Sequence, residues 1–367
     1  MTQNATTRVG RGGILSSAVL LLLCAFWLLP TFGVLVSSFR AADDVRSTGW
    51  WSVFPHREWR LAETINPALD LDRSGVMEFA GARGTFEELR AGIMAPDGRR
   101  VIWVGNRRLG TVQVQERGWT SSNAFTLDNY ESVLTGKQYE VTNAQGVKQT
   151  LRGDDLLAAF LNSLAVTLPA VLLPLVVGAL AAYGFAWVRF PGRGLVFTIV
   201  VGLLVVPLQI SLVPVLSDYV RLGLNGTYLA VWLAHAGFGL PLAIYLLYNY
   251  IAALPRELLE AATVDGASHL QIFRLIVLPI CGPILASYAI FQFIWVWNDY
   301  LVALIFIGSQ PKVQVLTMRL AEIVGSRGND WHLLTAGAFI SMVLPLAVFF
   351  GLQRYFVRGL TAGSIKS

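Results

Sequence analysis

Six long runs without a charged residue constrain the fold of this chain more than any other feature. A helix that crosses a membrane needs about 20 apolar residues in succession. Runs of that length occupy residues 12–39, 156–188, 194–217, 222–255, 275–298 and 331–353. Because backbone groups in lipid have to pair within their own segment, each run is predicted to form a spanning helix. We expect the fifth helix to continue past Asp299 to about residue 307. The first run is too long for the apolar part of a signal peptide, which indicates a permanent anchor.

Charge is concentrated between the first and second runs. Residues 40–155 contain 15 Lys or Arg and 16 Asp or Glu in 116 positions, a density typical of soluble domains. The other 251 residues contain only 13 Lys or Arg and 7 Asp or Glu. The predicted fold is therefore an all-α polytopic membrane protein of six transmembrane helices. It has an anchor helix within 1–39, an insert subdomain at 40–155 and five further helices within 156–367.

The insert is predicted to be small and mostly β. β-branched and aromatic residues at 101–104 and 110–115 favour strands. Segments 139–142 and 147–150 flank the turn-forming residues 143–146, which indicates a hairpin. Residues 85–94 are expected to form one short helix.

Basic residues in the short loops predict the orientation of the helices. One side would carry Arg8, Arg11, Arg189, Arg193, Arg256, Arg274, Arg354, Arg358 and Lys366. The other side would carry Arg221, Lys312, Arg319 and Arg327. Since the cytoplasmic side of a membrane protein carries the excess of Lys and Arg, both termini and the loop 251–281 are predicted to be cytoplasmic. The insert is then extracytoplasmic.

Several classes of activity have no support in the sequence. The chain has no Walker A loop: its single Gly-Lys pair, Gly136-Lys137, lacks the required glycine and Ser or Thr. Its four histidines have no ligand-like spacing, so no metal site is predicted. The basic excess lies beside the apolar runs, which indicates membrane topology and anionic lipid rather than nucleic-acid binding. These features favour a transport subunit over an enzyme.

The loop between the fourth and fifth runs carries the most specific pattern. Pro255 suits a first helical turn, and Gly266 tolerates the conformation in which a helix reverses. Ser268 and Gln271 have the spacing of a capping box for a second helix, which Pro279 is expected to stop. Two short helices joined by a glycine turn are therefore predicted.

This loop resembles the EAA loop of the membrane subunits of ABC importers. The family pattern is Glu-Ala-Ala, three residues, Gly, nine residues and Ile-x-Leu-Pro. It occurs here as Glu260-Ala261-Ala262, Gly266 and Ile276-Val277-Leu278-Pro279. Further segments are similar to the carbohydrate-uptake branch of these permeases: 125–130, 160–167, 182–186, 189–192, 297–300 and 353–366. The tail 353–366 especially resembles the second permease of maltose-type systems. The enlarged outer loop, which begins Thr48-Gly-Trp-Trp51, is similar to alpha-glucoside permeases.

The resemblance implies the ABC importer permease fold and a bacterial inner-membrane location. It implies a second homologous permease, two ATPase subunits that bind ATP and Mg²⁺, and an extracytoplasmic sugar-binding protein. The chain itself would hold no cofactor. The ATPase would be coupled through Glu260, Ala261, Ala262, Asp265, Gly266, Ile276, Leu278 and Pro279. The insert would contact the binding protein or the partner permease, or brace the helices.

Polar and aromatic residues inside the runs are candidates for the translocation path of a di- or oligosaccharide. They are Gln209, Phe291, Gln292, Trp295, Asn298 and Asp299. Intramembrane polar groups usually face a protein interior or a water-filled cavity. In the fifth helix, Phe291, Trp295 and Asp299 are predicted to share one face. The alternative is that Trp295, Trp297 and Tyr300 form an interfacial aromatic belt and that Asn298 bonds a neighbouring helix.

Three other functions remain open. The chain could serve an ABC importer of another small polar solute. It could be a membrane sensor whose outer subdomain binds a ligand and whose inner loop docks a signalling partner. A secondary transporter is the third alternative, but Asp299 is the single acid at membrane depth and no second half mirrors the first. Co-purification with an ATPase would distinguish the importer from the other two classes.

Overall fold

The structure, a computed structural model, describes residues 11–68, 71–136, 139–142, 148–151, 155–308, 310–326 and 330–362. Some predicted features lie outside these residues: the basic residues Arg8, Arg327 and Lys366, the hairpin turn at 143–146 and the end of the tail at 363–366.

Helices dominate the described residues. In chain order they are α1 Arg11–Ser38, α2 Ala42–Ser47, α3 Phe86–Ala91, α4 Asp128–Thr135, α5 Leu156–Trp187, α6 Arg193–Gly202, α7 Leu208–Arg221, α8 Tyr228–Ala252, α9 Arg256–Val264, α10 His269–Ile272, α11 Leu278–Ile280, α12 Gly282–Trp297, α13 Leu301–Ile307, α14 Leu316–Ser326 and α15 Trp331–Ala362. The strands are β1 His56–Ile65, β2 Met77–Phe79, β3 Ala82–Gly84, β4 Ile93–Met94, β5 Arg100–Val104, β6 Thr111–Thr120, β7 Tyr139–Thr142 and β8 Lys148–Leu151.

Four helices in the described part of the chain are long and apolar enough to cross a membrane. They are Ile14–Ser38 of α1, Leu156–Trp187, Tyr228–Ala252 and Trp331–Arg354 of α15. Two bent helix pairs pass the same test, Arg193–Val205 with Leu208–Arg221 and His269–Ile280 with Gly282–Trp297. Six spans therefore result if each bent pair crosses once, and the count of six stays a prediction.

The third and fifth apolar runs are sharply bent. Pro207 inside the third run predicts a kink there, whereas no bend was predicted in the fifth run. The third run bends by 106° at Val206 and Pro207. Proline has no N–H, and the residue before it is pushed out of the helical region, so Val206 is extended at φ −71° and ψ 118°. The fifth run bends by 73° at Cys281. It stops again after Trp297, so α12 does not continue past Asp299; α13 is a separate helix.

The chain forms two compact units. One contains residues 1–39 and 126–367, and the other contains residues 40–125. The second unit ends at Phe125, not at residue 155 as the charge pattern suggested, because α4 packs against α5 and α15 of the helical unit. A high density of charged residues indicates only that a segment is exposed to water. Because α4 and the sheet are both exposed, the charge pattern does not show that they belong to different units.

The unit of residues 40–125 contains a four-stranded antiparallel sheet in the order β1-β6-β5-β4. Alternate residues of β5 and β6 are buried, namely Val101 and Trp103 on β5 and Val112 and Val114 on β6. They pack on one side against α3, whose Thr85 and Glu88 form a capping box. Arg40 and Phe125, at the two ends of the unit, form an antiparallel bridge.

The helical unit is built around close contacts of α5 with α8 and of α12 with α5 and α15. A Cβ atom added at Gly178 would lie 2.7 Å from the Cβ atom of Ala243, so glycine permits the approach of α5 to α8. At the start of this unit, the Phe39 carbonyl accepts a hydrogen bond from Thr126 N at 2.7 Å. The Asn129 side chain donates to the Ser38 carbonyl at 2.9 Å. These contacts close the chain where the other unit is inserted.

Candidate functional site

The loop between α8 and α12 folds as two short helices with a glycine turn, as predicted. α9 is followed by Gly266 at φ +82°, in the left-handed region where a side chain would be strained. The predicted capping box is confirmed. Ser268 N donates to Gln271 Oε1 at 2.8 Å, and Gln271 N donates to Ser268 Oγ at 3.4 Å. The turn is therefore fixed by local hydrogen bonds on its α10 side.

Pro279 does not stop the second helix, contrary to the prediction. A widened π-helical turn, Phe273–Val277, follows α10 and leads directly into α11, which contains Pro279 and ends at Ile280. A proline ring clashes with the carbonyl four residues earlier in a regular helix, and a π turn changes the backbone where that clash would occur. The chain bends by 73° only after α11, so the loop continues into α12 through helical backbone.

The inner face of the loop is packed into the helical unit. Leu259 of α9, Ile272 of α10 and Phe273 of the π turn are buried in one cluster. This cluster also contains Ala182 of α5 and Leu247 of α8. Burial of each such side chain contributes about 1.5–3 kcal/mol. The loop is thus attached to the ends of two long helices by a continuous apolar contact.

One polar contact adds to this attachment. The Tyr183 hydroxyl of α5 lies 3.0 Å from Nδ1 of His269 in α10. The Tyr183 ring also packs against the Phe273 ring, with 5.5 Å between the ring centroids. Neither Tyr183 nor His269 was a candidate from the sequence, because the residues are 86 positions apart and their pairing depends on the packing of α10 under α5.

The outer face of the loop carries the residues that the resemblance assigned to ATPase coupling. Glu260, Ala261 and Asp265 are exposed, as are Leu278 and Pro279, whereas Ala262 and Ile276 are half-buried. Large apolar side chains stand beside them: Val264 is 87% exposed and Leu270 is 68% exposed. Large exposed apolar side chains within one short loop favour an interaction site. The geometry therefore suits a protein partner with both apolar and basic contacts.

The predicted path residues do not form one site. Gln292 is 1% exposed, and its amide is occupied: Nε2 donates to the carbonyls of Ala170 and His235, and Oε1 accepts from the Tyr288 hydroxyl. Gln209 is exposed in the first turn of α7, and Phe291 is 53% exposed. The structure therefore gives Gln292 a role in joining helices.

The break between α12 and α13 separates the remaining path candidates. Asn298 is exposed, and its side chain donates to the Ile294 carbonyl of its own helix, so it does not bond a neighbouring helix. Asp299 accepts from the backbone N–H groups of Val302 and Ala303 at the start of α13. Its Oδ2 lies 3.6 Å from Nε2 of the buried His235. Asp299 is thus not on the α12 face that carries Phe291 and Trp295.

Trp295 remains beside open space. It lines a cavity of about 430 Å³ together with residues of the turn after α6 and of α7 and α8, including Ser211, Tyr219, Gly237 and Phe238. Its ring packs edge-on against His235, with 5.1 Å between centroids. The predicted alternative of an aromatic belt is wrong for Trp297, which is 3% exposed and donates to the Ser341 carbonyl of α15.

A body of long apolar helices with an exposed helical hairpin is typical of a membrane-embedded subunit. Comparison with known proteins names the family. Residues 174–362 match the family model of the binding-protein-dependent transport system inner membrane component. The chain therefore belongs to this family of ABC importer permeases, whose members are transport subunits while ATP is hydrolysed by partner subunits.

Three curated relatives show where the similarity extends. The osmoprotective compounds uptake permease GgtD of a Synechocystis species is 44% identical over 95% of this chain and 90% of its own length. The alpha-glucoside transport system permease AglG of Rhizobium meliloti is 43% identical over 94% and 95%. The melibiose/raffinose/stachyose import permease MelC of Bacillus subtilis is 35% identical over 57% and 75%. The resemblance to sugar permeases that the sequence indicated is confirmed.

Proposed function

We propose that this chain forms half of the translocation path of a sugar importer and receives the ATPase at the loop α9–α11. The observation that carries the proposal is the two-sided loop. Its inner face is buried with α5 and α8, and its outer face exposes Glu260, Asp265 and Val264. A partner that moves the outer face therefore moves the ends of two long helices.

The mechanism depends on the loop moving as one body. Gly266 fixes the angle between α9 and α10, and the capping box of Ser268 and Gln271 holds the start of α10. The Tyr183–His269 contact and the buried Leu259 join the pair to the helical unit. Motion of rigid elements about hinges is the usual means by which nucleotide-driven closure is transmitted. The bend at Cys281 is the hinge that we propose between the loop and α12.

Reversing one exposed charge tests the docking surface. Glu260→Lys is expected to insert normally and to reduce sugar-stimulated ATP hydrolysis about tenfold or more, because a like charge would face a basic partner contact. The measurement is ATP hydrolysis by the purified complex, with co-purification of the ATPase as a second readout. Glu116→Lys, an identical charge change at an exposed position of β6, is the control. Normal stimulation in the Glu260 variant would refute the docking site.

For the cargo we propose a di- or oligosaccharide, with alpha-glucosides first. Support comes from the names of AglG and MelC and from the similarity to AglG over nearly the whole of both chains. A second cargo class is favoured by GgtD, which is named for osmoprotective compounds and has similar coverage. The complex with its binding protein would be assayed for ATPase stimulation by maltose, trehalose, raffinose and an osmoprotectant such as glycine betaine. Stimulation by none of the sugars would refute the sugar proposal.

The cavity beside Trp295 is our proposal for where this subunit meets its cargo. Aromatic rings of Trp295 and Tyr219 and the hydroxyl of Ser211 line it, a combination that suits a sugar ring. Trp295→Ala is expected to lower transport while the complex still assembles. Trp331→Ala, at an exposed tryptophan at the start of α15, is the control. Equal transport by the two variants would exclude the cavity from the path.

The proposal includes the assembly and its orientation. The partners would be a second homologous permease, two ATPase subunits with ATP and Mg²⁺, and an extracytoplasmic binding protein. Both termini and the loop α9–α11 would lie in the cytoplasm, and the unit of residues 40–125 would lie outside. Cysteine labelling at Val264 and at Leu109 in intact and opened cells tests the orientation, since both side chains are exposed. Labelling of Val264→Cys from outside would contradict it.

A further inference from the structure

Five prolines lie inside the long helices that the structure describes, namely Pro30, Pro169, Pro174, Pro241 and Pro345. Each of them leaves a backbone carbonyl without its helical partner. A proline has no N–H, so the carbonyl four residues earlier loses the hydrogen bond that it would otherwise accept. Pro169 and Pro174 act in this way on Ala165 and Ala170 of α5. Pro345 acts on Ser341 of α15. Within a membrane no water is at hand to replace the missing donor.

Each of these three carbonyls accepts a hydrogen bond from a side chain of another helix. Trp232 Nε1 of α8 donates to the Ala165 carbonyl at 2.9 Å. Gln292 Nε2 of α12 donates to the Ala170 carbonyl at 3.4 Å. Trp297 Nε1, also of α12, donates to the Ser341 carbonyl at 2.9 Å. At three of the five prolines the freed carbonyl is therefore in register with a side-chain donor of a neighbouring helix, which indicates that proline and donor act as pairs at these sites.

The donors are held in place by further contacts. Trp297 packs against Phe160 and Phe293, with ring centroids 5.2 Å and 5.7 Å away. The Tyr288 hydroxyl donates to Gln292 Oε1 and also contacts the Gly239 carbonyl at 3.0 Å. A Cβ atom at Gly239 would lie 2.6 Å from Gln292 Nε2, so the backbone of α8 is shaped to admit this amide. These contacts hold the side chains of Trp297 and Gln292 in the orientation in which they donate to their carbonyls.

We infer that Trp232, Gln292 and Trp297 are positioning residues that bind the carbonyls freed by the prolines of α5 and α15. Through them α8 and α12 are joined to α5 and α15 at the prolines, so that α5, α8, α12 and α15 respond together when the loop α9–α11 is displaced. This second part rests on the proposed function, because it concerns transmission from the ATPase. The hydrogen bonds themselves do not depend on what is transported.

A double-mutant cycle separates the hydrogen bond from simple packing. Trp297→Phe keeps a ring beside Phe160 and removes the N–H, and we expect the midpoint of thermal unfolding to fall by about 2–4 °C. Pro345→Ala gives the Ser341 carbonyl a backbone donor again. In that background Trp297→Phe is expected to cost less than half as much. An equal loss in both backgrounds would overturn the inference for this pair.

Matched controls use the same change elsewhere. In a Pro214→Ala background, where the altered proline lies in α7, Trp297→Phe should keep its full effect. The other two pairs give independent cycles, Trp232→Phe with Pro169→Ala and Gln292→Met with Pro174→Ala. If one variant fails to fold, the remaining cycles still decide the question. If, for two of the three pairs, the donor variant lowers the unfolding midpoint as much with the matching proline replaced by alanine as with it present, the inference that prolines and donors act as pairs is refuted.

Coupling provides a readout that a purely stabilising role would not change. In proteoliposomes with the partner subunits, Trp297→Phe and Gln292→Met are each expected to raise the ATP hydrolysed per sugar imported at least twofold. An unchanged ratio would refute the positioning role and leave only stabilisation. A wild-type complex that imports no sugar would instead refute the proposed function, while the thermal cycles would still decide the hydrogen bonds.

Discussion

Arg40 holds together the first turn of the inserted unit. Its side chain is 1% exposed, and its guanidinium donates to the carbonyls of Thr48 and Gly49 and to the Ser52 hydroxyl at 2.9 Å. Burial lowers the pKa of Arg40, and the negative charge of Asp44 opposes that shift. Because the ordinary pKa of arginine lies so far above neutral, the group stays charged. The charged, planar guanidinium of Arg40 therefore holds residues 44–52 together through several hydrogen bonds.

A lysine at position 40 is not expected to make the hydrogen bonds of the Arg40 guanidinium. Arg40→Lys removes most of these donors, and each hydrogen bond to a charged group contributes about 1.5–3 kcal/mol. We expect faster proteolysis within residues 40–125 and a lower unfolding midpoint of that unit, measured by limited proteolysis during a temperature series. Arg108→Lys, at an exposed position, should leave both unchanged. Equal protection of the two variants would contradict this role for Arg40.

The hydroxyl of Tyr183 is expected to help join the loop α9–α11 to α5. Tyr183→Phe deletes the hydroxyl that lies 3.0 Å from His269 Nδ1 and keeps the ring against Phe273. A neutral hydrogen bond contributes about 0.5–1.5 kcal/mol, so insertion and folding should be normal while stimulated ATP hydrolysis falls about 2- to 10-fold. Tyr248→Phe in α8, whose ring packs against Phe197, is the control. A drop of the same size in both variants would exclude a specific role of the Tyr183 hydroxyl.

At the scale of elements, the bend at Gly266 sets the angle of the loop. A non-glycine residue at positive φ costs about 1–2 kcal/mol, and proline cannot adopt φ +82° at all. We expect Gly266→Ala to reduce coupling partly and Gly266→Pro to abolish it, while both proteins still reach the membrane. The measurement is sugar-stimulated ATP hydrolysis by the purified complex.

Gly223 offers a matched control for the strain itself. It follows α7 at φ +69° with open space around the position of a Cβ atom, as at Gly266. Gly223→Ala should therefore cost similar stability without affecting coupling. Loss of coupling in the Gly223 variant as well would show that strain alone, and not the loop angle, explains the Gly266 result.

Local signals predicted the elements that depend on local chemistry. The capping box of Ser268 and Gln271, the bend at Gly266 and the helix behind Thr85 follow from side chains within four residues of the backbone that they stabilise. The kink at Pro207 was predictable from the proline itself, although its size of 106° was not. The 73° bend at Cys281 was missed, because the absence of charge indicates only that a segment is apolar. Pro207 carried a usable signal, since the residue before a proline is driven out of the helical region.

Pairings across helices were beyond the sequence for a different reason. The donors Trp232, Gln292 and Trp297 are recognisable only once the prolines are in register with them, and that register is a property of the packed unit. The same holds for Tyr183 with His269. The candidate Asp299 was placed on the wrong helical face because the break after Trp297 depends on the contact of α13 with α7 and α8.

At the scale of the whole molecule, the two units can be separated by one deletion. Arg40 and Phe125 form a bridge at the ends of the inserted unit, while Phe39 and Thr126 are joined by a 2.7 Å hydrogen bond in the helical unit. Replacing residues 41–124 by a short Asn-Gly turn should leave the helical unit inserted and able to bind the ATPase, because a two-residue turn closes such a bridge. Size-exclusion chromatography with the ATPase measures this outcome.

The same deletion decides what the inserted unit does. If it contacts the binding protein, affinity for that protein should fall while ATPase binding persists. If it covers the partner permease, the complex should lose that subunit instead. Failure of the deleted chain to reach the membrane would contradict the independence of the two units.

The bridge between Arg40 and Phe125 also has a consequence for the insertion of other domains at this position. Because the two ends of the inserted segment lie side by side, a replacement segment needs only to have adjacent ends of its own. A permease of this kind is therefore a natural acceptor of foreign domains at this position. A fluorescent protein with adjacent termini, grafted between Arg40 and Phe125, should fold there and report insertion of the helical unit.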